Sequence, residues 1–209
     1  MMLISSAFAE DGHYIKGGIG FNTILPFKIK DEELGGKSKL MQTFPLVEVA
    51  TGYRVTDKLR TEIAFDYYFL FKNIEVLQSG STDYSLLSKT KINALFLNAY
   101  LDTFQIKNIS FFLGGGLGVS FQKDNIKGYA VNNDMHYPIT GATSKQINRF
   151  AYKLTAGLDF KVSESVDIEF SYNYFNLGYN KPTITEGVSN MRRRNYLVHN
   201  ITVGLRYAL

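Results

Sequence analysis

The amino-acid sequence predicts an all-β protein, namely an eight-stranded antiparallel up-and-down transmembrane β-barrel with four long extracellular loops. Three observations support this fold class. Eight segments alternate apolar and polar residues with a period of two, which is the periodicity of a β-strand. The connections between these segments alternate between short and long. The 209 residues include 14 Tyr and 16 Phe, and aromatic residues favour strands.

The first four predicted strands span residues 13–24, 44–54, 59–71 and 90–102. In the first strand, Ile15, Ile19 and Phe21 alternate with lysine, glycine and asparagine. The second and third repeat this pattern with valines and aromatic residues on the apolar face. The fourth is the least regular, because Phe96 and Tyr100 fall on its polar face.

The last four predicted strands span residues 110–122, 150–162, 166–175 and 199–209. The clearest is 150–162, where aromatic and aliphatic residues such as Phe150 and Leu154 alternate with Lys153 and Asp159 over the whole segment. This length exceeds the usual five or six residues of a strand, and it suits a strand that crosses a bilayer at a tilt.

The connections predict which strand ends share a side of the membrane. Short connections are expected at 55–59, 103–109 and 163–165, and long polar ones at 25–43, 72–89, 123–148 and 176–196. In an up-and-down barrel, all short turns lie at one end and all long loops at the other. Outer-membrane barrels have this arrangement, with periplasmic turns and extracellular loops.

Side-chain volume predicts which face of each strand points outward. The alternative is a soluble barrel with an apolar interior, but every strand offers several large apolar residues, which would overfill an eight-stranded barrel. The polar face carries glycines and ions of both signs, so we expect it to line the bore. The expected ion pairs there join cations to carboxylates, drawn from Lys16, Arg54, Arg60, Lys153 and Arg206 and from Glu48, Glu62, Asp66, Asp159, Asp167 and Glu169.

The N-terminus is similar to the end of a secretory signal peptide. Ala7-Phe8-Ala9 fits a small-residue cleavage site after a short apolar stretch. The sequence therefore predicts a signal-peptide remnant at residues 1–9 and the barrel at residues 10–209.

The last predicted strand resembles the C-terminal assembly signal of outer-membrane barrels. In Thr202-Val203-Gly204-Leu205-Arg206-Tyr207-Ala208-Leu209, the glycine and the aromatic residue are in place, although Leu209 stands where a phenylalanine is usual. The resemblance implies that the barrel-assembly machinery is a partner through this strand.

Four further stretches resemble the opacity-type surface proteins of the porin and opacity family. They are Tyr14-Ile15-Lys16-Gly17-Gly18-Ile19-Gly20, Asn98-Ala99-Tyr100-Leu101-Asp102, Gly114-Gly115-Gly116-Leu117-Gly118 and Tyr172-Asn173-Tyr174-Phe175. This resemblance implies an eight-stranded barrel in the bacterial outer membrane, in contact with outer-membrane lipid and lipopolysaccharide. It also implies an adhesin or surface antigen whose loops contact a host-cell surface protein or glycan. The alternatives are a structural barrel that stabilises the envelope and a very small pore without a specific ligand.

The sequence predicts no enzyme, cofactor or metal site. It contains no cysteine, and its three histidines, His13, His136 and His199, are far apart. Asp134 and His136 come nearest to the carboxylate–histidine pairs that barrel enzymes use. The glycines at 114–118 lack the Lys-Ser/Thr of a phosphate-binding loop. The net charge of +4 is spread along the chain, so no nucleic-acid partner is expected.

The candidate binding residues are Arg192, Arg193 and Arg194, at the end of the fourth long loop. Three guanidinium groups can bind lipopolysaccharide phosphates or acidic glycans through bidentate hydrogen bonds. A solvated basic patch without a ligand is the alternative.

Overall fold

The structure, a computed structural model, describes residues 12–24, 42–79, 82–132, 135–143, 146–180 and 194–209. The predicted signal-peptide remnant at 1–9 lies outside these ranges. Among the described residues, no helix has the length and apolar character needed to cross a membrane. The strands are β1 His13–Ile24, β2 Gln42–Arg54, β3 Leu59–Ser79, β4 Thr82–Ile106, β5 Ile109–Asn132, β6 Met135–Thr143, β7 Ile147–Lys161, β8 Val166–Asn180 and β9 Arg194–Ala208.

Eight strands form a closed antiparallel barrel, which confirms the predicted fold class. Within the wall, neighbouring strands follow one another along the chain, except that β5 pairs with β7 because β6 is not part of the wall. The last strand, β9, pairs with β1 and closes the barrel. A closed barrel leaves no strand edge exposed to hydrocarbon, so every backbone group in the wall finds a partner. The remaining strand, β6, pairs only with the upper part of β5 among the described residues.

The ladder register places polar residues of neighbouring strands on the same side of the wall. Lys16 of β1 lies opposite Ala50 of β2 and Arg206 of β9. Along β1, Lys16 is 5% exposed, whereas the alternating Ile19 and Phe21 are 66% and 65% exposed. The polar face therefore lines the bore and the apolar face points outward, which confirms the predicted orientation.

Three short turns lie at one end of the barrel. Thr56 and Ser163 stabilise the first and third turns, because their hydroxyl oxygens accept hydrogen bonds from the backbone amides of Leu59 (3.0 Å) and Val166 (3.1 Å). The middle turn is tighter than the predicted 103–109, since β4 and β5 stay paired down to Ile106 and Ile109. Lys107 takes a positive φ of 54° to make this turn.

At the other end, β3, β4 and β5 continue past the barrel and pair with β6 in a protruding sheet, made of residues 71–79, 82–90, 124–132 and 135–143. The predictions of long loops at 72–89 and 123–148 are therefore corrected. Both segments are largely hairpin, because pairing between adjacent strands satisfies their backbone hydrogen bonds beyond the barrel. Most of the predicted loops at 25–43 and 176–196 lies outside the described residues.

Candidate functional site

The bore contains an ionic network in the half nearest the short turns. Glu169 of β8 is its centre, because its carboxylate lies 3.2 Å from the Nζ of Lys16 and 3.4 Å from guanidinium nitrogens of both Arg60 and Arg206. These residues come from β1, β3, β8 and β9, and all are at most 5% exposed. The network therefore ties opposite walls of the barrel together across the bore.

Two further carboxylates extend the network toward the short turns. Arg206 also contacts Asp159 at 3.0 Å and Asp167 at 2.8 Å, and Arg60 contacts Asp159 at 3.0 Å. Asp159, Asp167 and Arg206 border a cavity of about 300 Å³ at the mouth of the bore on the short-turn side. Because the residues that line this mouth include both cations and anions, it has no preference for ions of one charge.

A second group of ions lies higher in the bore. The Nζ of Lys16 contacts Glu48 at 2.9 Å and Glu62 at 3.1 Å, and the Nζ of Lys153 donates to Glu48 at 3.2 Å. Tyr100 donates a hydrogen bond from its hydroxyl group to Glu62 at 3.2 Å. Buried charges are tolerated when they are paired and hydrogen-bonded, and this group meets both conditions.

Two acidic residues depart from the pairing predicted by sequence. Asp66 was expected to pair with a cation, but it forms no ion pair among the described residues and accepts a hydrogen bond from the hydroxyl group of Tyr68, at 3.4 Å. Its register places it beside Glu48, which already holds both nearby lysines. Asp102, which was not among the expected partners, pairs with Arg54 at 3.1 Å and Arg60 at 3.3 Å.

Glycines on the bore side provide room for aromatic rings from neighbouring strands. A Cβ atom on Gly52 would lie 2.2 Å from the Tyr14 ring, and one on Gly157 would lie 2.4 Å from the Phe112 ring. The sequence predicted small residues in the bore but not these partner rings. The glycines therefore accommodate large side chains instead of leaving space for water.

The upper half of the bore contains an apolar cluster, in addition to the small and charged residues that the sequence predicts for the interior. The ring of Phe175 lies 5.9 Å from that of Tyr68 and 5.7 Å from that of Phe96. These apolar groups fill the part of the bore that the ion pairs do not occupy, as the close packing of a protein interior requires. The apolar cluster comprises Phe44, Leu46, Tyr68, Ile92, Ala94, Phe96, Ala151, Phe175, Leu177, Tyr196 and Val198.

Polar side chains form a belt along neighbouring strands on the bore side. Asn200 donates to Asn22 at 3.0 Å and accepts from Asn173 at 2.9 Å, and Asn173 in turn accepts from Thr155 at 2.7 Å. These residues are direct register partners across β1, β9, β8 and β7. The belt satisfies its own donors and acceptors, so it offers few free groups to a permeating ion.

A bulge in β8 places a backbone carbonyl group in the upper bore. The register shifts between Asn176 and Tyr179, and Gly178 has a φ of 81°. The shift directs the carbonyl oxygen of Leu177 inward, where it accepts hydrogen bonds of 2.6 Å from the side chains of both Ser120 and Gln122. The bore is thus occupied by ions, amides and apolar groups in succession.

The outer surface of the barrel carries a continuous apolar band. Large aliphatic and aromatic side chains project outward from every wall strand, among them Leu97 (64% exposed), Leu117 (62%) and Ile201 (64%). Exposed apolar surface of this extent is rare on soluble monomers. Tyrosines, the residue type that forms the aromatic girdles of outer-membrane barrels, also project outward: Tyr53, Tyr67, Tyr172 and Tyr207.

The structure does not bring the other candidate residues together. Arg192 and Arg193 lie outside the described residues, and Arg194 is described only as backbone, paired with Asn180. His13 packs against Tyr53 near the short turns, whereas His199 packs against Tyr174 near the opposite end. Within the described ranges, no group of three or more acidic, histidine or cysteine side chains is placed to hold a metal ion.

Comparisons with known proteins agree with this architecture. Residues 1–208 match the family model of the outer membrane protein beta-barrel domain. A candidate adhesin of Rickettsia conorii is 28% identical over 97% of this chain and 84% of its own length. A candidate adhesin of Rickettsia bellii is 27% identical over 86% of this chain and 81% of its own.

Solved structures show the same fold at low sequence identity. Neisserial surface protein A aligns with a TM-score of 0.53 at 16% identity, covering 95% of this chain and 97% of that structure. The attachment invasion locus protein Ail of Yersinia pestis, solved with the heparin analogue sucrose octasulfate, aligns with a TM-score of 0.52 at 15% identity, covering 94% and 98%. The chain therefore belongs to the outer membrane protein beta-barrel family and is a protein of the bacterial outer membrane.

Proposed function

We propose that this barrel is an adhesin that presents its protruding sheet and extracellular loops to the surface of a host cell. The observation that carries the proposal is the protruding sheet itself, in which β4 and β5 extend as paired strands well beyond the apolar band. Four paired strands form a rigid platform, and binding residues placed on a rigid platform lose little entropy on contact. The Rickettsia relatives named as candidate adhesins support the same role.

The occupied bore supports this proposal over a role in transport. An eight-stranded barrel has room for little more than its own side chains, and here ions, amides and the apolar cluster take that room. A protein with a filled bore acts through the parts that leave the membrane. We also propose that it is not an enzyme, because the family model that it matches describes an outer-membrane barrel domain.

The adhesive role is tested by shortening the protruding sheet while keeping the barrel. Gln122 and Ile147 are register partners, so residues 124–145 can be replaced by Asn-Gly, a two-residue hairpin turn. We expect bacteria that display this variant to bind cultured host cells no better than bacteria without the barrel. The wild-type barrel should mediate binding.

A matched control changes a turn at the opposite end. Replacing Lys107-Asn108 by Asn-Gly alters the short turn between β4 and β5, and this variant should mediate binding like the wild type. Slower gel migration after boiling shows that each variant was folded. Full binding by the variant without residues 124–145 would contradict the proposed role of the sheet.

We propose an acidic glycan as the ligand class for Arg192, Arg193 and Arg194. The Ail structure with a heparin analogue supports this choice, since sulfated sugars suit guanidinium groups. Replacing all three arginines with glutamine should weaken retention on immobilised heparin. The variant K58Q/K107Q, which removes cations from the short turns, should be retained like the wild type, and equal losses in both variants would contradict the assignment. We retain lipopolysaccharide and the barrel-assembly machinery as proposed partners.

A further inference from the structure

Two lysines face each other on the outside of the barrel, at the upper margin of the apolar band. Lys91 of β4 and Lys123 of β5 are direct register partners. The next pair down, Ile92 and Gln122, is buried in the bore at 2% and 0% exposure. Because side chains alternate across a strand, Lys91 and Lys123 point outward, and both are exposed. We refer to them as the lysine pair.

The height of the lysine pair matches the headgroup layer of the outer leaflet. The outward positions from Phe111 to Phe121 rise about 33 Å along β5, or about 25 Å along the membrane normal at the usual strand tilt. This is the height of the apolar band in such barrels. Lys123 is the next outward residue above Phe121, so its Cα lies about 5 Å above the band by the same geometry.

Among the described side chains, the lysine pair has no counter-charge of its own. Like charges directly opposite each other on a sheet are destabilising, because their Cβ atoms are only about 5 Å apart. None of the ion pairs among the described side chains includes either lysine. The intermediate-exposed Lys89, two residues along β4 on the same face, adds a third cation. An external anion would remove this repulsion.

Below the lysine pair, the wall presents a surface suited to acyl chains. Leu95 and Val119 are register partners and are 45% and 41% exposed, and Leu97 and Leu117 follow at 64% and 62%. A ligand that contacts both the lysine pair and these apolar residues carries an anionic group at the membrane interface and hydrocarbon chains beneath it. Lysine side chains have flexible stems, so two ammonium groups can converge on one phosphate.

We propose that Lys91 and Lys123 form a binding site for a phosphate group of an outer-leaflet lipid. The acyl chains of this lipid lie along the outward-facing apolar residues of β4 and β5, namely Leu95, Leu97, Leu117 and Val119. This site is on the outer wall, away from the bore. It does not depend on the adhesive role, because it requires only that the barrel sits in the outer membrane.

The test measures equilibrium binding of fluorescently labelled bisphosphorylated lipid A to the folded, full-length barrel in neutral detergent micelles. We expect K91Q/K123Q to bind about tenfold to thirtyfold more weakly than the wild type, which is the attraction that two lysines contribute at an anionic surface. K91R/K123R should bind within about threefold of the wild type, because it keeps both charges. The exposed lysines of the short turns give the matched control, K58Q/K107Q, which should bind like the wild type.

Two further measurements separate the possible sources of the phosphate. Dephosphorylated lipid A should bind the wild type and K91Q/K123Q equally, and excess inorganic phosphate should not displace lipid A. Equal affinity of K91Q/K123Q and the wild type for lipid A would overturn the proposal, as would an equal loss in K58Q/K107Q. Full displacement by inorganic phosphate would show a site for the free anion and would overturn the lipid assignment. Heat-modifiable gel migration confirms that every variant compared is folded.

Discussion

Glu169 holds three cations from three other strands, so a single carboxylate links parts of the chain that are distant in sequence. Lys16 is the first residue of the network and Arg206 the last, and both meet at this group. In water such contacts would contribute little, but in a buried bore each unpaired ion is costly. The network therefore acts as a constraint on which strands close the barrel.

Replacing Glu169 with glutamine keeps the side-chain shape and removes the charge. We expect the free energy of unfolding to fall by about 3 kcal/mol, because Lys16, Arg60 and Arg206 each lose a counter-charge in a buried site. Urea unfolding of the refolded barrel in lipid vesicles measures this change. The control is Glu164→Gln in an exposed turn, for which we expect a change within about 0.5 kcal/mol. Similar values for both variants would contradict this account of the network.

Among the strands, β5 depends most on residues without side chains. Its bore-side positions Gly114, Gly116 and Gly118 are register partners of Tyr100, Asn98 and Phe96 on β4. At all three glycines, an added Cβ atom would overlap the side chain of its partner. The glycines at 114–118 thus allow β5 to pack closely against the bore-side rings and amide of β4.

A substitution in β5 tests this packing. A Cβ atom on Gly118 would lie 2.1 Å from the carbonyl oxygen of Leu95, so the backbones of β4 and β5 would have to separate. We expect Gly118→Ala to lower the free energy of unfolding by about 2 kcal/mol, as overpacking does. Gly17→Ala is the matched control, because its Cβ atom would meet nothing within 4 Å. If Gly17→Ala lost stability and Gly118→Ala did not, the packing argument would be refuted.

At the scale of the whole molecule, the bore has two closures in series, the ionic network below and the apolar cluster above. We expect no single-channel steps from the wild-type barrel in planar lipid bilayers. F96A/F175A, which removes two central rings of the apolar cluster, should also stay silent because the ionic network still closes the lower half. Steps from the wild type would show an open bore, and steps from F96A/F175A alone would show that the ionic network does not seal. Heat-modifiable migration of the reconstituted protein serves as the folding control.

The sequence was sufficient to predict the wall of the barrel and the direction of its side chains. Alternation fixes which residues share a face, and the excess volume of the apolar face decides which face points outward. Seven of the bore ions expected from this argument are joined in one network, namely Lys16, Glu48, Glu62, Arg60, Asp159, Glu169 and Arg206. These results follow from local periodicity, which one strand carries by itself.

The apolar cluster could not be predicted in the same way, because it depends on register between strands. Phe96 and Tyr68 interrupt the polar face of their own strands, and only their position beside Phe175 of β8 explains them. The bulge at Gly178 and the pairing of Asp102 with Arg60 likewise join segments far apart in the chain. Single-strand patterns do not contain this information.

The pairing of Gln122 with Ile147 separates two mechanical units within one chain. Below this pair, close packing of side chains in the bore stabilises the wall. Above it, the hairpin is stabilised by main-chain hydrogen bonds, which do not depend on which side chains are present. Side chains above this pair can therefore be replaced without disturbing the packing of the embedded part. This division makes the molecule a scaffold whose exposed hairpin can vary in sequence while the embedded barrel keeps its structure.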